Sequence, residues 1–144
     1  MGTVDISGKP VVRRMAVASG RIVLRKETVE KVKRKETRKG DVLTIAEVAC
    51  LTAVKQTALL IPHCHQVPID SIQVRFMVGN ADIKMSCEVV AFAKTGVEME
   101  ALLGVSVGLN TLWDAVKYLE KDDDGQYPVT RITDIVVEKK EKGE

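Results

Sequence analysis

The 144-residue chain has the usual size of one compact domain, and its 45% hydrophobic content is enough to bury a core. Only 3% of the residues are aromatic and the net charge is +2, which argues against single-stranded nucleic-acid binding and against a broad field for a polyanion. No apolar run approaches the roughly 20 residues that span a bilayer, and the three cysteines follow no Cys-x-x-Cys spacing. We therefore expect one cytoplasmic domain over residues 1–144, with reduced thiols.

The first half of the chain predicts two helices. Residues 27–35 place Val29 and Val32 on one side of a charged segment, which is typical of a helix with a solvated face. Residues 42–60 carry apolar side chains at intervals of three and four, and Pro62 ends this second helix.

The second half predicts a β-hairpin, a long helix and a final strand. Apolar residues alternate over 69–78 and, more loosely, over 83–92, on either side of a turn. A helical stripe then extends to Tyr118, and residues 129–137 are typical of a strand.

The charged end of the chain, residues 138–144, is expected to be a flexible tail. Strands and helices alternate without a glycine-rich βαβ fingerprint, which disfavours a Rossmann fold. The pattern indicates an α+β domain with helices on one face of an antiparallel sheet.

Both histidines of the chain, His63 and His65, lie in the segment from Ile61 to Pro68. Imidazole is a common metal ligand, but a third or fourth ligand and a His-Glu motif are missing. Two other interpretations are packing of loop histidines, and substrate binding or acid-base work, for which a pKa near neutrality is suited. The residue types alone leave all three open.

Two carboxylates, Glu98 and Glu100, stand at the start of the long apolar helix. Acidic residues favour a helix N-terminus because they complement the helix dipole. A carboxylate also accepts two hydrogen bonds side by side, which matches the adjacent N–H donors of guanine or a pterin. The pair has either a structural or a purine-binding interpretation.

Asp114 and Lys117 lie three residues apart, on one face of the same helix. A surface ion pair is the simplest interpretation. Their position after Leu112 and Trp113, inside an apolar stretch, instead favours the border of a cleft.

Further basic side chains are individually unremarkable, but together they suit an anionic substrate such as a triphosphate. They are Arg13, Arg14, Lys39, Lys55 and Lys139. No Walker glycine-rich loop accompanies them, so the chain differs from ordinary nucleotide hydrolases.

Five motifs, read in order, resemble the cyclic pyranopterin monophosphate synthase family of molybdenum-cofactor biosynthesis. They are Val4-Asp5-Ile6-Ser7, Lys39-Gly40-Asp41-Val42, Leu60-Ile61-Pro62-His63-Cys64-His65, Thr95-Gly96-Val97-Glu98-Met99-Glu100-Ala101-Leu102 and Trp113-Asp114-Ala115-Val116-Lys117. The likeness covers nearly the whole chain, and the fourth motif is highly specific when it is combined with Ile-Pro-x-Cys-His.

The resemblance implies a lyase that converts (8S)-3',8-cyclo-7,8-dihydroguanosine 5'-triphosphate, a cyclised dihydro-GTP, to cyclic pyranopterin monophosphate and pyrophosphate. It also implies a ferredoxin-like subunit and a homo-oligomer whose functional unit is a dimer, commonly in a hexamer built as a trimer of dimers, with active sites between subunits. No cofactor is required by the sequence. Mg²⁺ carried by the substrate triphosphate is compatible with it, although no protein ligand set for a metal is present.

The resemblance assigns roles to matching positions. Lys39 and Lys117 resemble the catalytic lysines that move protons, and Asp114 resembles the acidic catalytic residue beside them. The substrate-contacting positions are those of His63, Cys64, His65, Glu98, Met99 and Glu100, with His65 as the direct ligand. Basic positions near the phosphates are those of Arg14, Lys55 and Lys139.

The chain departs from the family pattern at three places. His63-Cys64-His65-Gln66 replaces Leu-Cys-His-Pro, Cys50 replaces a glycine, and residues 139–142 replace Lys-Ser-Gly-Gly. Two alternative functions remain: a non-catalytic purine-nucleotide-binding oligomer, and a hydrolase whose metal is held by the two histidines. The presence of both lysines and Asp114 argues against the first, and the missing metal ligands argue against the second.

The spacing of the long helix bears on how a site is assembled. Glu100 and Asp114 are fourteen residues apart, which is about 21 Å on a straight helix and longer than one small pocket. We therefore predict that a complete site combines residues from two chains, with Lys39 and Asp114 on different chains.

Overall fold

The computed structural model describes residues 1–143, which form four strands and four helices. In chain order these are β1 (Val12–Val23), α1 (Lys26–Lys33), α2 (Val42–Lys55), α3 (Thr57–Leu60), β2 (Ser71–Val78), β3 (Asp82–Ala93), α4 (Glu98–Glu120) and β4 (Arg131–Lys142). The strands make one antiparallel sheet in the order β2-β3-β1-β4. This order and the βαββαβ succession are ferredoxin-like, so the predicted α+β class is confirmed. Within residues 1–143 no helix is both long and apolar enough to cross a membrane.

The helices pack on one face of the sheet. In β3 every second residue from Ile83 to Ala93 is buried, as expected for a strand with one covered face. The long helix α4 lies over β1, β3 and β4, and α2 packs against α4. A close approach is needed there, because a Cβ at Gly104 of α4 would lie 2.8 Å from Val54 and 2.9 Å from the Cys50 sulfur.

The central strand β1 is absent from the elements that the sequence predicts. Its middle residues are mostly small and show no period-two alternation, so the usual strand signal is missing. The structure gives the reason for the small residues. Ala16 and Ala18 are fully buried in the core, and a Cβ at Gly20 would lie 2.8 Å from Leu109 and 2.9 Å from Val105 of α4.

The end of the chain also differs from its prediction. Residues 138–142 continue β4 and pair with β1, with Val17 opposite Lys139 and Arg14 opposite Lys142, so the expected flexible tail is wrong for this part. The N–H of Gly143 donates to the carbonyl of Arg13 at 2.7 Å. The charged side chains are exposed, which is typical of an edge strand that must avoid pairing with other chains. Residue 144 lies outside the described residues.

The helix predicted over residues 42–60 is divided in two. Asp41 caps its start by accepting from the N–H of Thr44 at 3.2 Å. Residue Gln56 leaves the helical conformation between α2 and α3. The hydroxyl of Thr57 donates to the carbonyls of Ala53 and Val54 at 2.9 and 3.1 Å, which gives the last turn of α2 an alternative to regular helix bonds.

A buried carboxylate holds the C-terminal end of α4. Glu120 is fully buried and accepts from the N–H of Arg25 at 3.2 and 3.3 Å. The hydroxyls of Thr28 and of Thr130 also donate to it, the latter at 2.7 Å. Because Arg25 is the N-cap of α1, this carboxylate lies at the positive end of that helix dipole. Glu120 thereby joins α1 and α4 to the start of β4.

Candidate active site

A pocket of about 290 Å³ opens beside the N-terminus of α4. It gathers the six positions for which the resemblance implies substrate contact: His63, Cys64, His65, Glu98, Met99 and Glu100. Residues of the N-terminal segment, Val4, Ile6 and Lys9, also line it. We call it the carboxylate pocket.

The two histidines lie in and just after a turn that borders the pocket. The N–H of Cys64 donates to the carbonyl of Ile61 at 3.0 Å and closes this turn. The Nε2–H of His65 donates to the carbonyl of Val4 at 2.7 Å, which ties the N-terminal segment to the pocket. Within residues 1–143, no group of three or more His, Cys, Asp or Glu side chains has the arrangement of a metal site.

The acidic wall of the pocket has unusual electrostatics. Glu100 is only 4% exposed, and burial, together with the charge of Glu98, raises the pKa of its carboxyl. The Oε1 atom of Glu98 accepts from Lys140 Nζ at 3.2 Å, while its buried Oε2 atom has no hydrogen-bond partner among residues 1–143. A buried acceptor without a partner favours a ligand that brings N–H or O–H donors.

Cys64 lines the same pocket as a thiol. Burial first, and then the charges of Glu100 and Glu98, raise the pKa of this cysteine. A raised pKa keeps the thiolate population low at neutral pH, and the thiolate is the nucleophilic form. Cys64 is therefore suited to contact a substrate rather than to attack it.

A second group, which we call the lysine cluster, consists of Lys39, Asp114 and Lys117. The two carboxylate oxygens of Asp114 lie 3.2 Å from Lys39 Nζ and 3.0 Å from Lys117 Nζ. Hydrogen bonds from Lys117 and then from Lys39 lower the pKa of Asp114, and Asp114 raises the pKa of Lys117. At neutral pH the cluster therefore holds a carboxylate beside the Lys117 ammonium, and the raised pKa makes this ammonium a weaker acid than that of an isolated lysine.

The position of Lys39 corrects one prediction. Lys39 and Asp114 belong to the same chain and touch, so the expectation that different chains supply them is wrong. The two residues meet because the fold places the loop over residues 34–41, which precedes α2, alongside the C-terminal half of α4. All three side chains of the cluster are about half exposed, so no cleft formed by residues 1–143 encloses it.

The carboxylate pocket and the lysine cluster lie at different ends of one helix. Glu100 and Asp114 both belong to the continuous helix α4. Fourteen residues at ~1.5 Å each separate their Cα atoms by about 21 Å. The part of the chain that the structure describes therefore presents two groups of candidate residues that do not meet in one cavity.

Nearly the whole length of the chain is similar to the proteins of one family. The model of the MoaC family matches residues 3–143. The chain belongs to the MoaC family. A probable cyclic pyranopterin monophosphate synthase of Thermococcus kodakarensis is 53% identical over 141 residues, which are 98% of this chain and 90% of the relative. One of Methanococcoides burtonii is 52% identical over 96% of this chain and 87% of the relative. A probable cyclic pyranopterin monophosphate synthase accessory protein of Methanothermobacter thermautotrophicus is 50% identical, with the same shares covered.

Three basic residues for which the MoaC-family resemblance implies phosphate contact line neither group. Arg14 is 6% exposed, and its guanidinium donates to the carbonyls of Ala93 and Lys94 at 3.4 and 3.3 Å. These two residues directly precede Thr95, which lines the pocket. Lys55 is exposed at the end of α2. Lys139 forms an ion pair with Glu141 at 2.8 Å. Their contact with phosphate stays a prediction.

Lys140, rather than Lys139, reaches the acidic wall of the pocket in this MoaC-family chain. Neighbouring residues of a strand point to opposite faces, so Lys140 turns toward Glu98 while Lys139 points away. This contact was not predicted from the sequence, because the charge of residues 138–144 suggested a flexible tail. A strand extended to residue 142 would have supplied the signal.

Proposed function

We propose that this chain converts cyclised dihydro-GTP to cyclic pyranopterin monophosphate and pyrophosphate, as a lyase of molybdenum-cofactor biosynthesis. The observation that carries the proposal is the acidic pocket: Glu98, Glu100 and the histidine turn share one cavity in a chain of the MoaC family. The relatives of Thermococcus kodakarensis and Methanococcoides burtonii support it, because both are named probable cyclic pyranopterin monophosphate synthases. We further propose a cytoplasmic homo-oligomer, with a dimer as its functional unit and a hexamer as its full assembly.

The purine end of the substrate is assigned to the carboxylate pocket. Adjacent N–H donors of the ring system would satisfy Glu100 and the unpartnered Oε2 of Glu98. Because burial already disfavours the charged form of Glu100, donors on the ligand recover stabilisation that water cannot supply. Binding at this wall thus selects a ring rich in N–H groups.

Proton transfer is assigned to the lysine cluster. Opening the five-membered ring and reclosing it as a pyrazine moves protons repeatedly, which requires groups that donate and accept in turn. Lys117 begins as an ammonium hydrogen-bonded to Asp114, which raises its pKa. A lysine exchanges protons near neutral pH only when burial or a neighbouring cation lowers its pKa, so the proposed transfer requires that the substrate and a second chain enclose the cluster. Asp114 keeps the amine oriented between the two steps.

Pyrophosphate release is assigned to the surrounding basic residues. A sugar hydroxyl attacks the α-phosphorus, the bond to the β-phosphate oxygen breaks, and positive charge stabilises the leaving oxygens. Arg14, Lys55 and Lys139 are the proposed ligands. Arg14 has N–H donors beyond those that it gives to the carbonyls of β3 and the residue that follows it.

The direct test supplies cyclised dihydro-GTP to the purified chain and measures both products. We expect equal yields of pterin and pyrophosphate, because one turnover makes one of each. Pyrophosphate without pterin would reject the proposed reaction, and binding without either product would indicate a non-catalytic nucleotide-binding protein. Stoichiometric metal that stays bound to the purified protein through dialysis would indicate the hydrolase alternative.

We also infer that two chains complete each site. The ring is held at Glu100, and the proton donors lie about 21 Å away on the same helix. A general acid must come within hydrogen-bond reach of the atom that it protonates. The exposed lysine cluster of one chain would therefore cover the carboxylate pocket of another, which is the cleft that this chain lacks alone.

Mixing two inactive variants tests this arrangement. Lys117→Ala damages only the cluster and Glu100→Gln damages only the pocket, so a hybrid dimer regains one intact site and activity returns. The matched control mixes Lys117→Ala with Asp114→Ala; both lesions lie in the same cluster, and activity stays absent. Absence of recovery in the first mixture, despite demonstrated subunit exchange, would contradict the shared site.

A further inference from the structure

The loop that carries Lys39 is fastened to α4 through Tyr118. The backbone N–H of Arg38 donates to the Tyr118 hydroxyl at 2.8 Å. The guanidinium carbon of the same arginine lies 4.2 Å from the centroid of the Tyr118 ring. We propose that Tyr118 is a positioning residue that places Lys39 against Asp114; this rests on the proposed catalytic role of Lys39.

The ion pair between Lys39 and Asp114 cannot hold the loop by itself. The two side chains are 51% and 58% exposed, and an exposed pair of this kind contributes little to stability. Two flexible ends would then sample many separations. A second attachment is needed if Lys39 is to keep one position through repeated proton transfers.

The loop has a defined shape of its own. Lys35 and Gly40 have positive φ angles of 56° and 75°. The N–H of Gly40 donates to the carbonyl of Thr37, and the Thr37 hydroxyl donates to the carbonyl of Gly40, both at 2.9 Å. A loop that is tied internally moves as a unit, so fixing one of its residues on α4 fixes the others.

The spacing on α4 makes Tyr118 suited to this role. Tyr118 follows Asp114 by four residues, so both side chains lie on one face, about 6 Å apart along the axis. Neighbouring residues of the loop meet them in the opposite order along the chain: Arg38 meets Tyr118, and Lys39 meets Asp114. The Tyr118 hydroxyl fixes the position of the Arg38 backbone along α4, and the cation–π contact holds the Arg38 side chain against the Tyr118 ring.

Tyr118→Phe removes the hydroxyl and keeps the ring. We expect kcat to fall about 10-fold, with KM changed less than about 2-fold, because a small displacement of a catalytic group affects turnover more than binding. Exchange of the Arg38 amide hydrogen, followed by NMR, should accelerate in the variant. Ser106→Ala is the matched control: it also removes one hydroxyl from α4, but that hydroxyl donates only to Leu102 of the same helix. It should leave kcat and Arg38 exchange unchanged.

The outcomes separate this inference from the proposed function. Wild-type kcat in Tyr118→Phe, with accelerated Arg38 exchange, would overturn the positioning role. A loss of kcat with faster exchange along the whole of α4 would also overturn it, because Tyr118 would then act through the fold. Lys39→Ala is assayed in parallel: an active Lys39→Ala protein would instead show that the proposed role of Lys39 itself is wrong.

Discussion

Replacing Lys117 with alanine is expected to lower kcat by about 10²–10⁴-fold, the range typical of a lost general acid-base group, while the protein stays folded. The side chain is about half exposed and its contact is with Asp114, so its removal leaves no core cavity. Turnover and circular dichroism should be measured on the same preparation. Wild-type activity in the folded variant would remove Lys117 from the mechanism.

Two further variants refine this experiment. Lys117→Arg keeps the positive charge, but a guanidinium stays protonated even when it is buried, whereas burial can lower the pKa of a lysine. The arginine variant should therefore be nearly as inactive as the alanine variant. Substantial activity in Lys117→Arg would show that the residue supplies charge to the phosphates rather than protons. Lys121→Ala is the control, because Lys121 is an exposed lysine one turn further along, at the end of α4.

Replacing Glu120 with alanine is expected to destabilise the fold by about 3 kcal/mol or more. The variant leaves the N–H of Arg25 and the hydroxyls of Thr28 and Thr130 without their shared acceptor in a buried position. Each unsatisfied buried donor costs about 1–3 kcal/mol, and relaxation or water entry recovers part of the sum. The midpoint of urea unfolding measures the change.

Glu120→Gln is the matched variant. A glutamine keeps the shape and one acceptor oxygen, and the threonine hydroxyls can accept from its amide, so the loss should be about half that of Glu120→Ala. If the alanine variant lost less than about 1 kcal/mol, water would be replacing the carboxylate and the role of Glu120 as a junction would be wrong.

Periodicity predicted part of the fold and missed its centre. The hairpin and α4 have regular apolar spacing, because each buries one face. Strand β1 lies between two other strands under a closely packed helix, and this packing demands Ala16, Ala18 and Gly20, which carry no strand signal. The pairing of residues 138–142 with β1 is non-local, so their charge alone suggested a tail.

Some residues of the candidate site could be predicted from the sequence, and others could not. Carboxylates on the first turn of a helix and histidines on a nearby turn are local patterns, and the sequence placed them as candidates. Lys39 is 75 residues from Asp114 along the chain, and only the fold brings them together. The contact of Arg38 with Tyr118 spans 80 residues and involves residue types that are common on any surface. No spacing rule could have paired them.

The continuity of α4 also determines how many complete sites a pair of chains contains. If one rigid helix carries both halves of a site, a two-fold pair of chains contains two complete sites, each made from opposite ends of the two helices. A hybrid of Lys117→Ala with Glu100→Gln then has one intact site and one that carries both lesions, so it reaches about half the activity of the wild-type pair. After random exchange of equal amounts, about half of the pairs are hybrids, and total activity should level off near about one quarter of the wild-type value.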